Sequence, residues 1–199
     1  MSSCTARKAR PPQDPELVAA ADLYRGEQHR RLMSGVVEYR RAGQPAGPVR
    51  LRIVSAGLGF VDERERIRSY DETFTGMPRA EIAEHAARLG IPQAFADELG
   101  QARSLTILAL GDMYLRACAA EQIRSISGPV LALTSEGGQR RLPTQFIPLV
   151  LGAQETRRFH AGFVGLKGAV VAHLLHTLTR QPTLMHEPQR LAGTVLSGG

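Results

Sequence analysis

Apolar residues follow two rhythms along this chain. From Glu16 to Arg41 they recur every three or four positions: Leu17, Ala20, Ala21 and Tyr24 share one face, then Leu32, Val36 and Tyr39. That period predicts helix, which Gly26 divides in two. Val49 to Ser55 alternates and then turns apolar, which predicts a strand running into the glycine-bearing loop Ala56-Gly57-Leu58-Gly59. Residues 62–79 are polar and irregular. Helical spacing returns from Pro78 to Leu89, with Pro78 suited to a first turn and Gly90 to a stop, and again over 92–101. Leu105 to Leu110 is a continuous apolar run of the kind buried on both faces of a sheet. A helix over residues 112–124 follows, and Val130 to Thr134 is a second buried-type strand, opening into Ser135-Glu136-Gly137-Gly138. The last clear helix spans Lys167 to Thr179, and residues 181–199 read as a weakly structured tail.

Strands thus alternate with helices, and each strand opens into a loop rich in Gly, Ser or Asp. This predicts an α/β fold: a short, mostly parallel sheet of about four strands flanked by helices, in one domain over residues 1–180. Sites in such folds lie at the carboxyl ends of the strands. Four loops are therefore expected to converge: Ser3-Cys4-Thr5, Ser55–Gly59, Gly111–Tyr114 and Thr134–Gly138. Only Met1 to Ser3 precede Cys4, too few for a buried strand, so that strand is vestigial or the true start lies upstream.

Composition narrows the class. Hydrophobic residues are 43% and charged residues 22%, ordinary globular usage that excludes wholesale disorder. No apolar run approaches the ~18 residues of a membrane span. The start, MSSCTARKAR, lacks the apolar centre of a secretory signal, so a cytoplasmic location without membrane partners is expected. The formal charge is +6, and the only lysines are Lys8 and Lys167. The arginines are scattered in pairs such as Arg30-Arg31, Arg140-Arg141 and Arg157-Arg158. That scatter fits a coding bias toward arginine, and it also fits a phosphate-binding surface.

No phosphate loop, dinucleotide fingerprint, HExxH or GxSxG motif is present, and no cofactor or metal is expected. Cys4 and Cys118 lack zinc-type spacing. His173 and His176 sit three apart among leucines, as a packed histidine face more readily than a metal pair. Cys4 near Lys8 is either an activated thiol or a small residue at a strand end. Gly165-Leu166-Lys167-Gly168 before the last helix can hold an anion through its amides and Lys167, or simply begin the helix. Asp112 caps a helix or holds a substrate donor. The densest stretch is Ser55 to Met77. Its glycines, Gly57 and Gly59, permit close approach of a ligand. Tyr70 can stack on a planar group, and Asp71 can act as general base or orient an amine. The other reading is an ordered loop over the sheet edge, with Asp71 as a local cap.

One ordered set of motifs resembles a known family. It comprises S-C-T-x-x-K (Ser3 to Lys8), Asp22-Leu23-Tyr24-x-Gly26, I-V-S-A-G-L-G-F-V (Ile53 to Val61), Tyr70-Asp71-x-Thr73-Phe74 and A-L-G-D-x-Y (Ala109 to Tyr114). It resembles a bacterial and phage family that usually carries S-A-K-Y-G-L-L followed by P-Y-D-x-T-L. That family is distantly similar to the YaaA peroxide-stress proteins and to domains associated with tRNA-guanine transglycosylases. The resemblance covers roughly residues 3–180 and implies a uracil-DNA-glycosylase-like, three-layer α/β architecture in a nucleotide or nucleic-acid setting. Two departures matter. Gly57 and Leu58 stand where the family has lysine and tyrosine, and Ser69 stands where it has proline before Tyr70. The glycosylase water-activating motifs are absent, so uracil excision is not implied.

These readings converge on a protein that binds a nucleobase, nucleotide or nucleic acid (DNA or tRNA) at the strand ends, with a base-processing reaction there left open. Ser55, Gly57 and Gly59 would supply backbone contacts. Tyr70, Asp71 and Thr73 would recognise the ligand or exchange protons, with Tyr70 and Asp71 as the catalytic pair. Asp112 and Tyr114 would form the opposite wall, and Cys4, Lys8 and Lys167 would meet an anion or act as nucleophile. The alternative is a non-enzymatic DNA-binding stress or defence protein that uses its arginine surface alone. A small-molecule hydrolase or transferase is a third option.

Overall fold

The computed structural model describes residues 17–196. The centre is a parallel three-stranded sheet of β5 (Thr106–Leu108), β6 (Val130–Thr134) and β7 (Ile147–Val150), with β6 in the middle. All five residues of β6 are buried. Leu131 and Leu133 point into one apolar cluster, while Val130 and Ala132 point into another. The strand is sandwiched on both faces, which is why its sequence is apolar throughout rather than alternating.

One face is covered by α2 (Glu27–Arg41), α8 (Phe163–Arg180) and α9 (Pro188–Leu196), through Val36, Leu166, Val170, Leu174, Leu191 and Val195. The other face is covered by α3 (Arg79–Arg88), α4 (Ile91–Leu99) and α5 (Asp112–Ala117), through Ile82, Ile91, Phe95, Leu99 and Ala117. The fold is therefore mixed α/β, with helices on both sides of a parallel sheet.

Among the described residues the central sheet has three strands. The strand expected over Val49–Ser55 forms as β2 (Arg52–Ser55), but outside that sheet: it pairs antiparallel with β3 (Gly59–Asp62), in register Ser55 to Gly59 and Arg52 to Asp62. The Ala56-Gly57-Leu58 segment is the turn of a hairpin, and Gly59 holds φ +85°, a left-handed conformation that suits glycine. A further small antiparallel pair joins β1 (Val18–Ala19) to β4 (Arg66–Ile67), and α1 (Ala20–Leu23) is a single turn. Strand β7 escapes sequence reading because Pro148 interrupts it. It is tolerated because β7 is an edge strand and Pro148 is exposed.

Two further expectations are corrected. Residues 182–196 are not a weak tail: a 3-10 turn over Pro182–His186 leads into α9, which buries Leu191 and Val195 completely. Helix α8 also begins four residues earlier than expected, so Gly165 and Gly168 lie inside it. Their role is helix packing. Gly165 lies against Glu27, Gly168 against the Gln28 carbonyl, and Gly35 of α2 against Ala172. The two helices run in the same direction at a separation that excludes a Cβ at these points. The expected first strand, with Cys4 and Lys8, lies outside the described residues. Among the described residues, no helix is long and apolar enough to cross a membrane.

An ion pair fastens the hairpin to α2. Arg40 donates to both oxygens of Glu63, at 2.9 and 2.5 Å, and Glu63 is only 5% exposed. Removing the arginine strands a buried carboxylate, so Arg40→Ala should cost about 3–5 kcal/mol in urea unfolding.

The packing glycines give a second test. Alanine normally improves a helix by about 0.5–1 kcal/mol over glycine. Gly193→Ala in α9, where a Cβ would meet nothing, should follow that rule. Gly168→Ala should reverse it, with a loss of about 1–3 kcal/mol, because the methyl group would overlap the Gln28 carbonyl. Thermal unfolding of the two variants side by side checks the sign.

Candidate functional site

Strand β2 ends at Ser55, which is 1% exposed. Its hydroxyl accepts from Gly57 N at 3.2 Å and Leu58 N at 2.9 Å, which closes the hairpin turn. The same hydroxyl donates to Tyr70 at 2.6 Å. Gly57 makes this approach feasible, since a Cβ there would lie 2.5 Å from the Tyr70 ring. The Tyr70 hydroxyl in turn bonds that of Tyr24, and the two rings meet edge to face at 6.3 Å. Tyr24 occupies the break between α1 and α2, and His29 secures that break by donating Nε2–H to Ala21 O at 2.7 Å.

Tyr114 of α5 brings a third phenol to the same region. It packs edge-on against Phe74 at 5.3 Å, and the Thr73 hydroxyl lies beside its own. Phe74 is fully buried and also meets His85, whose Nε2–H donates to Ala56 O at 2.6 Å. Phe74 thus clamps the segment from Tyr70 to Thr73 between α3 and α5. Burial raises the pKa of Tyr70 and Tyr114, so both remain phenols and hydrogen-bond donors at neutral pH.

The charged part of the site lies at the end of β5. Beyond that strand, the Ala109 and Leu110 carbonyls have no ladder partner; Gln28 of α2 donates to the first at 2.9 Å and Lys167 of α8 to the second. Asp112 opens α5 beside them and faces Arg141 at 3.8 Å. Burial lowers the Lys167 pKa, and the nearby Asp112 charge opposes that shift. The β6 loop reaches this corner too: Ser135 accepts from Gly138 N at 3.1 Å, and Gly138 packs close to Asp112 and Thr134.

Three of the four expected loops therefore converge, through Ser55, Tyr70, Tyr114, Asp112 and Gly138. The fourth, with Cys4 and Lys8, lies outside the described residues. Gly59 belongs to the hairpin, against Leu89 O, and is not a ligand loop. Asp71 is exposed and makes no side-chain hydrogen bond with a described residue, so it stands apart from the hydroxyl cluster. Thr73 is exposed and accepts from Thr75 N at 3.1 Å. His173 is half-buried against Phe159 while His176 is exposed, so they do not act as a pair. Among the described residues no three His, Cys, Asp or Glu side chains group as metal ligands. Burial pushes the Cys118 thiol up to about 12, which makes it a packing residue.

Sequence reading missed Tyr24 and Gln28 as members of the site. The available signal for Tyr24 was its place in the Asp22-Leu23-Tyr24-x-Gly26 motif. No family model matches the chain, and no curated protein or solved structure gives a significant match.

Lys167 offers a direct test of this geometry. Reductive 13C-methylation followed by NMR titration should show a lysine midpoint below 10.5, and the signal should vanish in Lys167→Met. The folded state binds that proton less tightly than the unfolded chain. This group's contribution to stability therefore rises with pH between the folded and unfolded values.

Proposed function

We propose that the strand-end cluster binds a nucleobase or nucleotide, free or within a nucleic acid. The observation that carries this reading is the convergence of three tyrosines, Tyr24, Tyr70 and Tyr114, in one region, with Asp112 on the same helix as Tyr114 and Lys167 reaching the Leu110 carbonyl just before it. Neutral hydroxyls set among aromatic faces match a planar, polar heterocycle, which needs both stacking and edge hydrogen bonds. A cation beside the cluster suits an attached phosphate. The finer fold reading, a uracil-DNA-glycosylase-like arrangement, rests on the layering of helices about a parallel sheet and on the sequence resemblance. The reaction, if the site has one, would be a base-processing step, with Lys167 and Tyr70 nearer the ligand than Asp71.

The test is a thermal-shift series with nucleobases, nucleotides, single- and double-stranded DNA and tRNA. A ligand at 100 times its dissociation constant should stabilise the protein by about 2.7 kcal/mol. Tyr70→Ala, its ligand-free melting recorded first, should weaken the response at least tenfold, whereas Asp71→Asn should retain it. Absence of a shift with every member of the series overturns the proposal.

A second reading has its own observation. Arg25, Arg30, Arg140 and Arg157 are exposed, and none is paired with a carboxylate among the described residues. A DNA-binding protein acting through such exposed arginines alone would show affinity falling steeply with salt and indifferent to Tyr70→Ala.

A further inference from the structure

The hydrogen-bond chain at the site has a direction, and the direction selects a ligand. Ser55 Oγ accepts two backbone N–H groups, from Gly57 and Leu58, which occupies its lone pairs. Its single proton must then go to Tyr70, at 2.6 Å. Tyr70 receives that proton on its oxygen and sends its own to Tyr24. Reversing the Tyr24–Tyr70 bond would make the Tyr70 oxygen accept twice and leave its own proton without an acceptor among the described residues. The arrangement with one bond in and one bond out at Tyr70 makes Tyr24 the outlet of the chain. Its oxygen already accepts from Tyr70, and no described residue accepts its proton. Tyr24 as a whole is half-buried.

We infer that Tyr24 presents this proton to an oxo group of the bound base, so that the site prefers oxo-substituted nucleobases over their amino counterparts. The inference rests on the nucleotide-binding reading above. An exocyclic amino group at the same place would set donor against donor, while a carbonyl oxygen completes the chain Ser55 to Tyr70 to Tyr24 to ligand. Each bond in such a chain polarises the next, which strengthens the last one. Tyr114 adds a further half-buried phenol to the same region. The opposing group, Asp112, is an acceptor and suits a donor elsewhere on the ligand. A fully enclosed site built this way discriminates by several orders of magnitude. Here the tyrosines are half-exposed and water can relieve a mismatch, so a preference of about tenfold is expected.

The experiment compares dissociation constants for inosine against adenosine monophosphate and for uridine against cytidine monophosphate, with inorganic phosphate measured alongside. The oxo member of each pair should bind about tenfold tighter. Tyr24→Phe should bring both ratios to near one while changing affinity for the amino member by less than about threefold. Tyr70→Phe should reduce the ratios as well, because Tyr24 then lacks its upstream donor and can turn its hydroxyl either way. A merely structural role for Tyr24 would weaken all four nucleotides together and leave the ratios unchanged, which overturns the inference. Equal binding of oxo and amino partners by the unaltered protein overturns it while nucleotide binding stands. Inorganic phosphate binding as tightly as the nucleotides also overturns it, since the acceptor at Tyr24 would then be a phosphate oxygen. Failure of all four nucleotides to bind removes the underlying reading together with the inference.

Discussion

The close, parallel packing of α2 on α8 is the constraint from which the site follows. Gly35 and Gly168 leave no room for a Cβ against the facing backbone, so the backbones set the separation and the offset of the two helices directly, and Gly165 leaves space for the Glu27 and Arg31 side chains. With that offset fixed, Gln28 and Lys167 reach successive carbonyls at the end of β5. Side-by-side N-termini also place two like dipole ends together, which is unfavourable without a counter-charge. Glu27 supplies one. It opens α2, lies against Gly165 of α8, and pairs with Arg31 at 2.9 Å. The same constraint places Tyr24, which stands immediately before α2, at the mouth of this helix pair.

The polar network is compatible with a packed core because nearly all of it hangs on backbone groups left over at element ends. Ser55 takes the amides of the hairpin turn, His85 takes the Ala56 carbonyl, and His29 takes that of Ala21. Each bond satisfies a group that would otherwise be stranded where a strand or helix stops. The side chains of the candidate site are thus also the structural caps of the hairpin and of β5, and the arrangement needs no dedicated scaffold. Arg40 and Glu63 extend the principle, since Glu63 also accepts from Leu51 N at 3.4 Å while bound to the arginine. The hairpin that carries Ser55 is therefore tied to the helix that follows Tyr24, and the two ends of the hydroxyl chain share one rigid frame.

What could be read from the sequence was whatever local pattern decides. Strand β6 and helices α3 and α4 were legible because burial on two faces, or on one helical face, leaves a clear period. Strand β3 was hidden because Gly57 and Gly59 resemble a loop, when only pairing with β2 makes Gly59 a strand residue. The Gly165–Gly168 stretch resembles a phosphate-holding turn; that it is helical depends on a partner helix 130 or more residues earlier, which no local rule sees. Leu191 and Val195 did carry helical spacing, but their burial against α8 was needed to show an ordered helix. Strand-end logic pointed to the loops of Ser55, Asp112 and Tyr114, and the dense polar and aromatic stretch pointed to Tyr70. Neither pointed to Tyr24, because its meaning comes from Tyr70, 46 residues away.

The two halves of the site obey different chemistry. Tyr70 and Tyr114, with pKa raised by burial, keep their protons at neutral pH. Their hydrogen-bond polarity is a fixed property of the fold, set at Ser55 by two backbone amides. Lys167 and Asp112 are a different kind of pair: the amine is held by a carbonyl rather than by the carboxylate, and its charge is opposed by burial and favoured by Asp112. The burial that holds Tyr70 and Tyr114 protonated thus acts in the opposite sense on the Lys167 charge. On the proposed reading, the fixed half would read the base and the adjustable half would meet the phosphate. A ligand change confined to the exocyclic group of the base would then be felt at the hydroxyl half, and a change confined to the phosphate at the charged half.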